Sequence, residues 1–197
     1  MPWEKSFNLD DATDKAIEVF WKKGFEATSM ADLTKAMNIN KGSLYNAFGS
    51  KKALFDRALA RYDQVNRARR LAELRGWSDP YAAIVALFDG MIEAARDQPT
   101  SLGCFVINTA QDLPNQPPEV AEVVKSSLAD IKEFFQDQII KGQTDGQIAS
   151  DADPAETAQG LLSLFIGMRV LSRGAGTIET LEAIKSSALR LIPHPKN

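Results

Sequence analysis

The stretch Lys41-Gly-Ser-Leu-Tyr-Asn46 mixes side chains that suit a nucleic-acid duplex with side chains that suit a protein core. Lys41 can reach guanine or a phosphate, Asn46 can hold adenine through two hydrogen bonds, and Gly42 lets the backbone approach the bases closely. Leu44 and Phe48, four residues apart, share one face and would anchor the same helix in a core. A short helix that is small, polar and basic at its tip and apolar behind can enter a major groove. Phosphate contacts would fix its register, and only base contacts would carry sequence.

The flanking residues supply the frame such a helix needs. Ser29 is placed to cap a preceding helix, and Asp32, three residues on, completes a capping box in its acidic form. Met30, Leu33, Ala36 and Met37 fall on one face at helical spacing. Asn38 tolerates the left-handed backbone that a tight turn requires, Ile39 fills the gap, and Asn40 caps the next helix. Gly49-Ser50 ends that helix and opens another at Lys51.

With these residues in register, the chain resembles the N-terminal domain of the TetR family of bacterial transcriptional regulators. The resemblance spans Ala12 to Leu59 and includes Phe20-Trp21-Lys-Lys-Gly-Phe25, Thr28-Ser29, Leu33, Ile39, Lys41-Gly42-Ser43-Leu44-Tyr45, Phe48 and Ser50-Lys51. It implies that Lys41, Gly42, Ser43 and Asn46 approach bases while Thr28, Tyr45 and Lys51 contact phosphates. With the cap Ser29, these make up the expected DNA-binding set. Two positions depart from the pattern: Asn38 stands where the family usually has Gly, and Ala47 where it often has His.

The rest of the chain reads as helices and turns, with no β-alternation and no internal repeat. One helix opens at Asp10 or Asp11, and another runs from Lys51 toward Leu74 with Arg57, Arg61, Arg67, Arg69 and Arg70 mostly as a solvated face. Further helices are expected over about 81–96, 119–141, 155–173 and after Thr177, with a short apolar segment from Gly103 to Leu113. The fold class is therefore all-α. A three-helix, helix-turn-helix DNA-binding domain (residues 1–55) would be followed by a helical ligand-binding and dimerisation domain (residues 56–197).

Charge is divided along the same line. The net charge is −3, yet residues 1–75 carry fourteen Lys/Arg against ten Asp/Glu, and residues 76–197 carry nine against sixteen. The basic excess lies in the part that would meet phosphates. One cysteine, Cys104, excludes an internal disulfide framework and fits a reducing compartment. The segment Met-Pro-Trp-Glu-Lys-Ser6 has no apolar signal region, and the longest apolar run, Leu161 to Met168, is too short to span a bilayer. A cytoplasmic location is expected.

A few side chains from one short helix cannot give useful specificity, because good base contacts are worth ~1–3 kcal/mol each. A homodimer on a palindrome nearly doubles that energy. Apolar residues go almost all the way round the helix that contains Leu161, Phe165 and Met168, which suggests burial on two sides. With Leu181, Ile184 and Leu189 from the last helix, they form the expected dimer interface. The resemblance also implies a small-molecule effector site, for which Phe88, Met91, Ile92, Cys104, Phe105, Asn108, Phe134, Phe165 and Met168 are candidate linings. That set would suit a small, largely apolar effector.

Three alternatives stay open. The Gly103-Cys104 element is similar to one in a TetR subgroup whose members include thiol-based electrophile or oxidant sensors, although Cys104 also reads as a small buried apolar residue. An enzyme is disfavoured: the lone His194 sits in the tail Ile192-Pro-His-Pro-Lys-Asn197, and neither a metal-spaced Cys/His cluster nor a phosphate-cradling glycine loop is present. No catalytic residue, metal or cofactor is expected. A helical interaction protein without DNA binding is the remaining reading.

Overall fold

A computed structural model describes residues 7–97 and 102–193. The segment Met1–Ser6 and His194, considered above, lie outside the described residues. The described chain is all-helical: α1 (Leu9–Lys23), α2 (Met30–Met37), α3 (Lys41–Phe48), α4 (Lys51–Tyr62), α5 (Arg69–Arg75), α6 (Pro80–Asp97), α7 (Phe105–Ala110), α8 (Pro118–Thr144), α9 (Pro154–Leu171) and α10 (Ile178–Leu189). Between α4 and α5 the helix does not break. It widens into a π-helical turn, Asp63–Ala68, so the expected helix from Lys51 toward Leu74 is one rod with a local irregularity.

Polar caps set where the helices begin. Asn8, Ser29, Asn40, Ser50, Asp153 and Thr177 each accept a backbone N–H of the following first turn through a side-chain oxygen. The first helix opens one to two residues earlier than expected because Asn8, rather than an aspartate, caps it. Asn38 takes the left-handed conformation (φ 54°) that turns α2 into α3.

Two apolar clusters organise the molecule. The first joins α1–α4 through Phe20, Leu33, Leu44, Leu54, Phe55 and Leu59, then continues to Tyr62 and on to Phe105, Val106, Val120 and Val124. The second fills the body between α5, α6, α8, α9 and α10. A cut at residues 55/56 therefore falls inside α4, whose Ala58, Leu59 and Tyr62 belong to the first cluster; the N-terminal bundle rests directly on α7 and α8. Ion pairs reinforce the packing of α1 on α4, with Arg57 on Asp10 (2.8 Å) and Arg61 on Asp14 (2.6 Å). Arg67 is held by Asp63 (2.6 Å) and by Asp130 of α8. The expected solvated arginine face is thus corrected at Arg61 and Arg67, which clamp neighbouring helices, while Arg57 stays exposed beside Asp10. No helix among the described residues is long and apolar enough to cross a membrane, and none of these residues form a group able to hold a metal ion.

Candidate nucleic-acid interface

The α2-turn-α3 unit is fixed from below and free above. Leu33, Met37, Leu44 and Phe48 are buried in the first cluster, while Lys41, Gly42, Tyr45 and Asn46 are exposed. Tyr45 keeps 42% of its surface, high for an aromatic residue. Lys41 Nζ lies 5.9 Å from the Tyr45 ring centre, so the two groups share one patch. Lys51 Nζ sits 4.4 Å over the Phe25 ring, which orients it beside the head.

Helix dipoles add to the positive character of this surface. Acidic residues favour a helix N-terminus, and α1, α2, α8, α9 and α10 each carry one in the first turn. Helices α3 and α4, like α5, α6 and α7, carry none, and at the head α3 begins with Lys41 and α4 with Lys51-Lys52. Like polarity is thus gathered where the free backbone N–H groups point, an arrangement that an external anion such as phosphate relieves.

The expected set is not uniform. Ser29 is exposed, but its hydroxyl works within the capping box: it accepts from Asp32 N and donates to Asp32 Oδ2 at 2.8 Å. Lys23, with the Ser29 backbone N–H, holds the Asp32 carboxyl well below the usual carboxylate range. Ser43 is half-buried, and its backbone N–H is capped by Asn40 Oδ1 at 2.8 Å. Thr28 is a correction. It is 1% exposed and its hydroxyl donates to Gly24 O at 2.6 Å, so the side chain locks the α1–α2 turn and offers nothing to a phosphate.

The C-terminal candidates are dispersed. Phe88, Met91, Phe134 and Met168 are packed in the buried core of the body. Ile92 lies at an open groove between α6 and α10, where Lys185 pairs with Asp89 and Arg96 with Glu182. Phe105 and Asn108 face a cleft toward Trp21 and Phe25 of the head. Of the candidates, Cys104 and Phe165 line a partly open cavity of about 90 Å³ beneath the π turn.

That cavity draws its walls from Tyr62, the π turn and α5–α9, and includes Asp63, Arg67, Ser127 and Arg169. Its lining is largely apolar, as expected, with these polar side chains set into it. These polar residues escaped a sequence search based on apolar periodicity. A run of arginines on a helix reads as solvated surface, and nothing in the sequence announces a π turn.

Cys104 is the N-cap of α7, a six-residue helix. Gly103 before it takes φ 76°, and a Cβ there would lie 3.4 Å from the Arg169 carbonyl oxygen. The glycine is explained by this left-handed turn pressed on α9. Beside Cys104, burial pushes the Tyr62 hydroxyl well above its usual pKa, the contact with the thiol adding to the shift.

Four of the expected dimer residues, Leu161, Phe165, Met168 and Leu181, are corrected. They are buried within the chain, while Ile184 and Leu189 are half-buried. The outer side of α9 carries Leu164, Gly167 and Val170 instead, with Val170 exposed. Residue types around α9 show an all-round apolar helix, but they do not show which side faces in.

Comparison with known proteins places this architecture. Over 96% of this chain and 90% of the relative, it is 32% identical to the HTH-type transcriptional repressor ComR of Escherichia coli. Its fold matches a cysteine mutant of the TetR family regulator CifR complexed with 26-bp double-strand operator DNA, at TM-score 0.81 and 31% identity, covering 95% of this chain and 98% of that one. A TetR family regulator from Agrobacterium tumefaciens shares the fold at TM-score 0.83 and 23% identity, covering 93% and 96%. Residues 12–58 match bacterial regulatory proteins of the tetR family, and residues 80–187 match the tetracyclin repressor-like C-terminal domain. With both halves and the whole-chain relative in agreement, the chain belongs to the TetR family of transcriptional regulators and is not an enzyme.

Proposed function

We propose that this protein is an effector-responsive repressor that binds a palindromic double-stranded operator as a homodimer. The observation that carries the reading is the exposed basic edge of α3 and α4. Lys41, Gly42, Tyr45 and Asn46 stand clear of the core, and Lys51 adds charge at a helix N-terminus that has no acid of its own. Lys41, Gly42, Ser43 and Asn46 would meet base edges, and Tyr45 and Lys51 would meet phosphates. The acidic body faces away from DNA. The partner copy would seat against the outer side of α9 around Leu164 and Val170, with Ile184 and Leu189 of α10 at its margin. Release would follow when an effector favours a head geometry that no longer fits the operator.

Selection of bound fragments from a random DNA pool tests this reading. It predicts an inverted repeat, bound by a dimer in a salt-sensitive complex. Unrelated fragments with no shared half-site would favour a helical interaction protein instead.

One observation supports a thiol-based form of the response. Cys104 lines the cavity beside the Tyr62 hydroxyl, at the junction of the two apolar clusters. On this reading Cys104→Ser abolishes operator release by a quinone or hypochlorite; unchanged release excludes it.

A further inference from the structure

The cavity beneath the π turn holds polar groups that the fold leaves without partners. Ser127, on α8, is 1% exposed, and its Oγ has no hydrogen-bond partner. Arg169, on α9, has its Nε buried and unpartnered, and its guanidinium forms no ion pair among the described residues. Both line the cavity. The other cations there are satisfied: Arg67 by Asp63 and Asp130, and Arg70 by Glu73 at 2.8 Å. Leaving a buried donor unpaired is costly, and more so for a charged one. A ligand that supplies acceptors removes that cost.

We propose that this cavity is a binding site for a small organic acid whose carboxylate is held by Arg169 and Ser127. The proposal deepens the effector-responsive reading and rests on it. The Arg169 guanidinium lies 5.4 Å from the Phe165 ring centre, which holds the fork in place before a ligand arrives. Arginine meets a carboxylate with two parallel donors, and the Ser127 hydroxyl adds a third. The hydrocarbon part would lie on Leu71, Leu87 and Ile131. A volume of about 90 Å³ admits a short chain or a single ring.

The position also explains how such a ligand would act. The cavity abuts Asp63 and Arg67 of the π turn, a feature common at functional sites, on the rod joining the head to the body. Tyr62 and Cys104 line the same cavity, and Tyr62 packs edge-on against Trp21 of α1 at 5.0 Å. A carboxylate drawn to Arg169 therefore presses on the contacts that set the head.

The test uses the full chain, with butyrate and benzoate as probes and butyramide and benzamide as neutral controls. Thermal melting reads binding, and operator release is measured separately. The acids are expected to raise the melting temperature while the amides do not. Arg169→Gln should weaken acid binding roughly thirtyfold, the equivalent of ~2 kcal/mol, with a smaller loss in Ser127→Ala and partial recovery in Arg169→Lys. Retained operator binding by each variant shows that it folds. Amides that bind as well as the acids, acids that do not bind, or full acid affinity in both Arg169→Gln and Ser127→Ala would each overturn the site. Acids that bind without releasing operator would leave the site standing and remove the effector reading. Release by a thiol reagent with no acid binding would do the reverse.

Discussion

Trp21 Nε1 donates a hydrogen bond across 3.1 Å to the carbonyl oxygen of Leu102, a residue 81 positions away. The bond ties α1 of the N-terminal bundle to the turn that leads into Cys104 and the cavity. Asn108 Nδ2 donates to the same oxygen at 2.8 Å, so the turn is held from both sides.

Trp21→Phe removes this donor and keeps much of the ring contact with Tyr62. Because Asn108 still satisfies the carbonyl, the expected stability loss is only about 1 kcal/mol by denaturant unfolding. Operator binding should persist while effector-driven release weakens. Wild-type release by the variant would show that the coupling runs elsewhere.

The turn residues carry a second expectation. Asn38 sits at φ 54°, so Asn38→Ala should cost roughly 1–2 kcal/mol, whereas Asn38→Gly should be close to neutral. Thermal melting of the two variants distinguishes backbone strain from a loss of side-chain contacts, which would harm both equally.

Asp130 joins α8 to the rod through Arg67 and Arg75. Burial alone would raise its pKa, but Arg75 and Arg67 outweigh it and leave the carboxyl below its usual 3.8. A depressed carboxyl stabilises the fold fully above the unfolded value, and the contribution is lost as the pH falls through the folded one. Asp130→Asn should therefore cost about 2 kcal/mol at neutral pH. The gap between its melting temperature and that of the wild type should close as the pH drops below about 4. A gap independent of pH would assign the loss to packing.

On the DNA side, Tyr45→Phe and Lys41→Ala probe different terms. Removing the Tyr45 hydroxyl should weaken binding to all sequences alike if it meets a phosphate. Lys41→Ala should lower the salt dependence by about one phosphate contact per protomer if Lys41 meets a phosphate, or relax a guanine preference if it meets a base. Gel shifts over a salt series separate these outcomes.

Much of the head was legible from sequence because its signals are local. The Ser29–Asp32 capping box, the left-handed Asn38 and the Leu44/Phe48 pair each sit within a few residues of their partners, and the structure forms all three. Thr28 was misread because its partner, Gly24 O, is a backbone group without a sequence signature. The body hid more. Phe88, Phe134 and Met168 have the composition of a pocket lining or of a core, and only three-dimensional packing shows that they are core. Arg169 and Ser127 are ordinary polar residues in sequence, and their lack of partners emerges only when α8 and α9 are laid together.

The central claim is that the exposed edge of α3 reads base identity, and Asn46→Ala tests it most directly. Its affinity should be measured against the selected operator and against random DNA of the same length at one salt concentration. Loss of a two-hydrogen-bond contact predicts a fall in operator affinity of ~1–3 kcal/mol per half-site, little change on random DNA, and relaxed preference at one base pair. An equal loss on both DNAs, or no loss on either, would contradict the account.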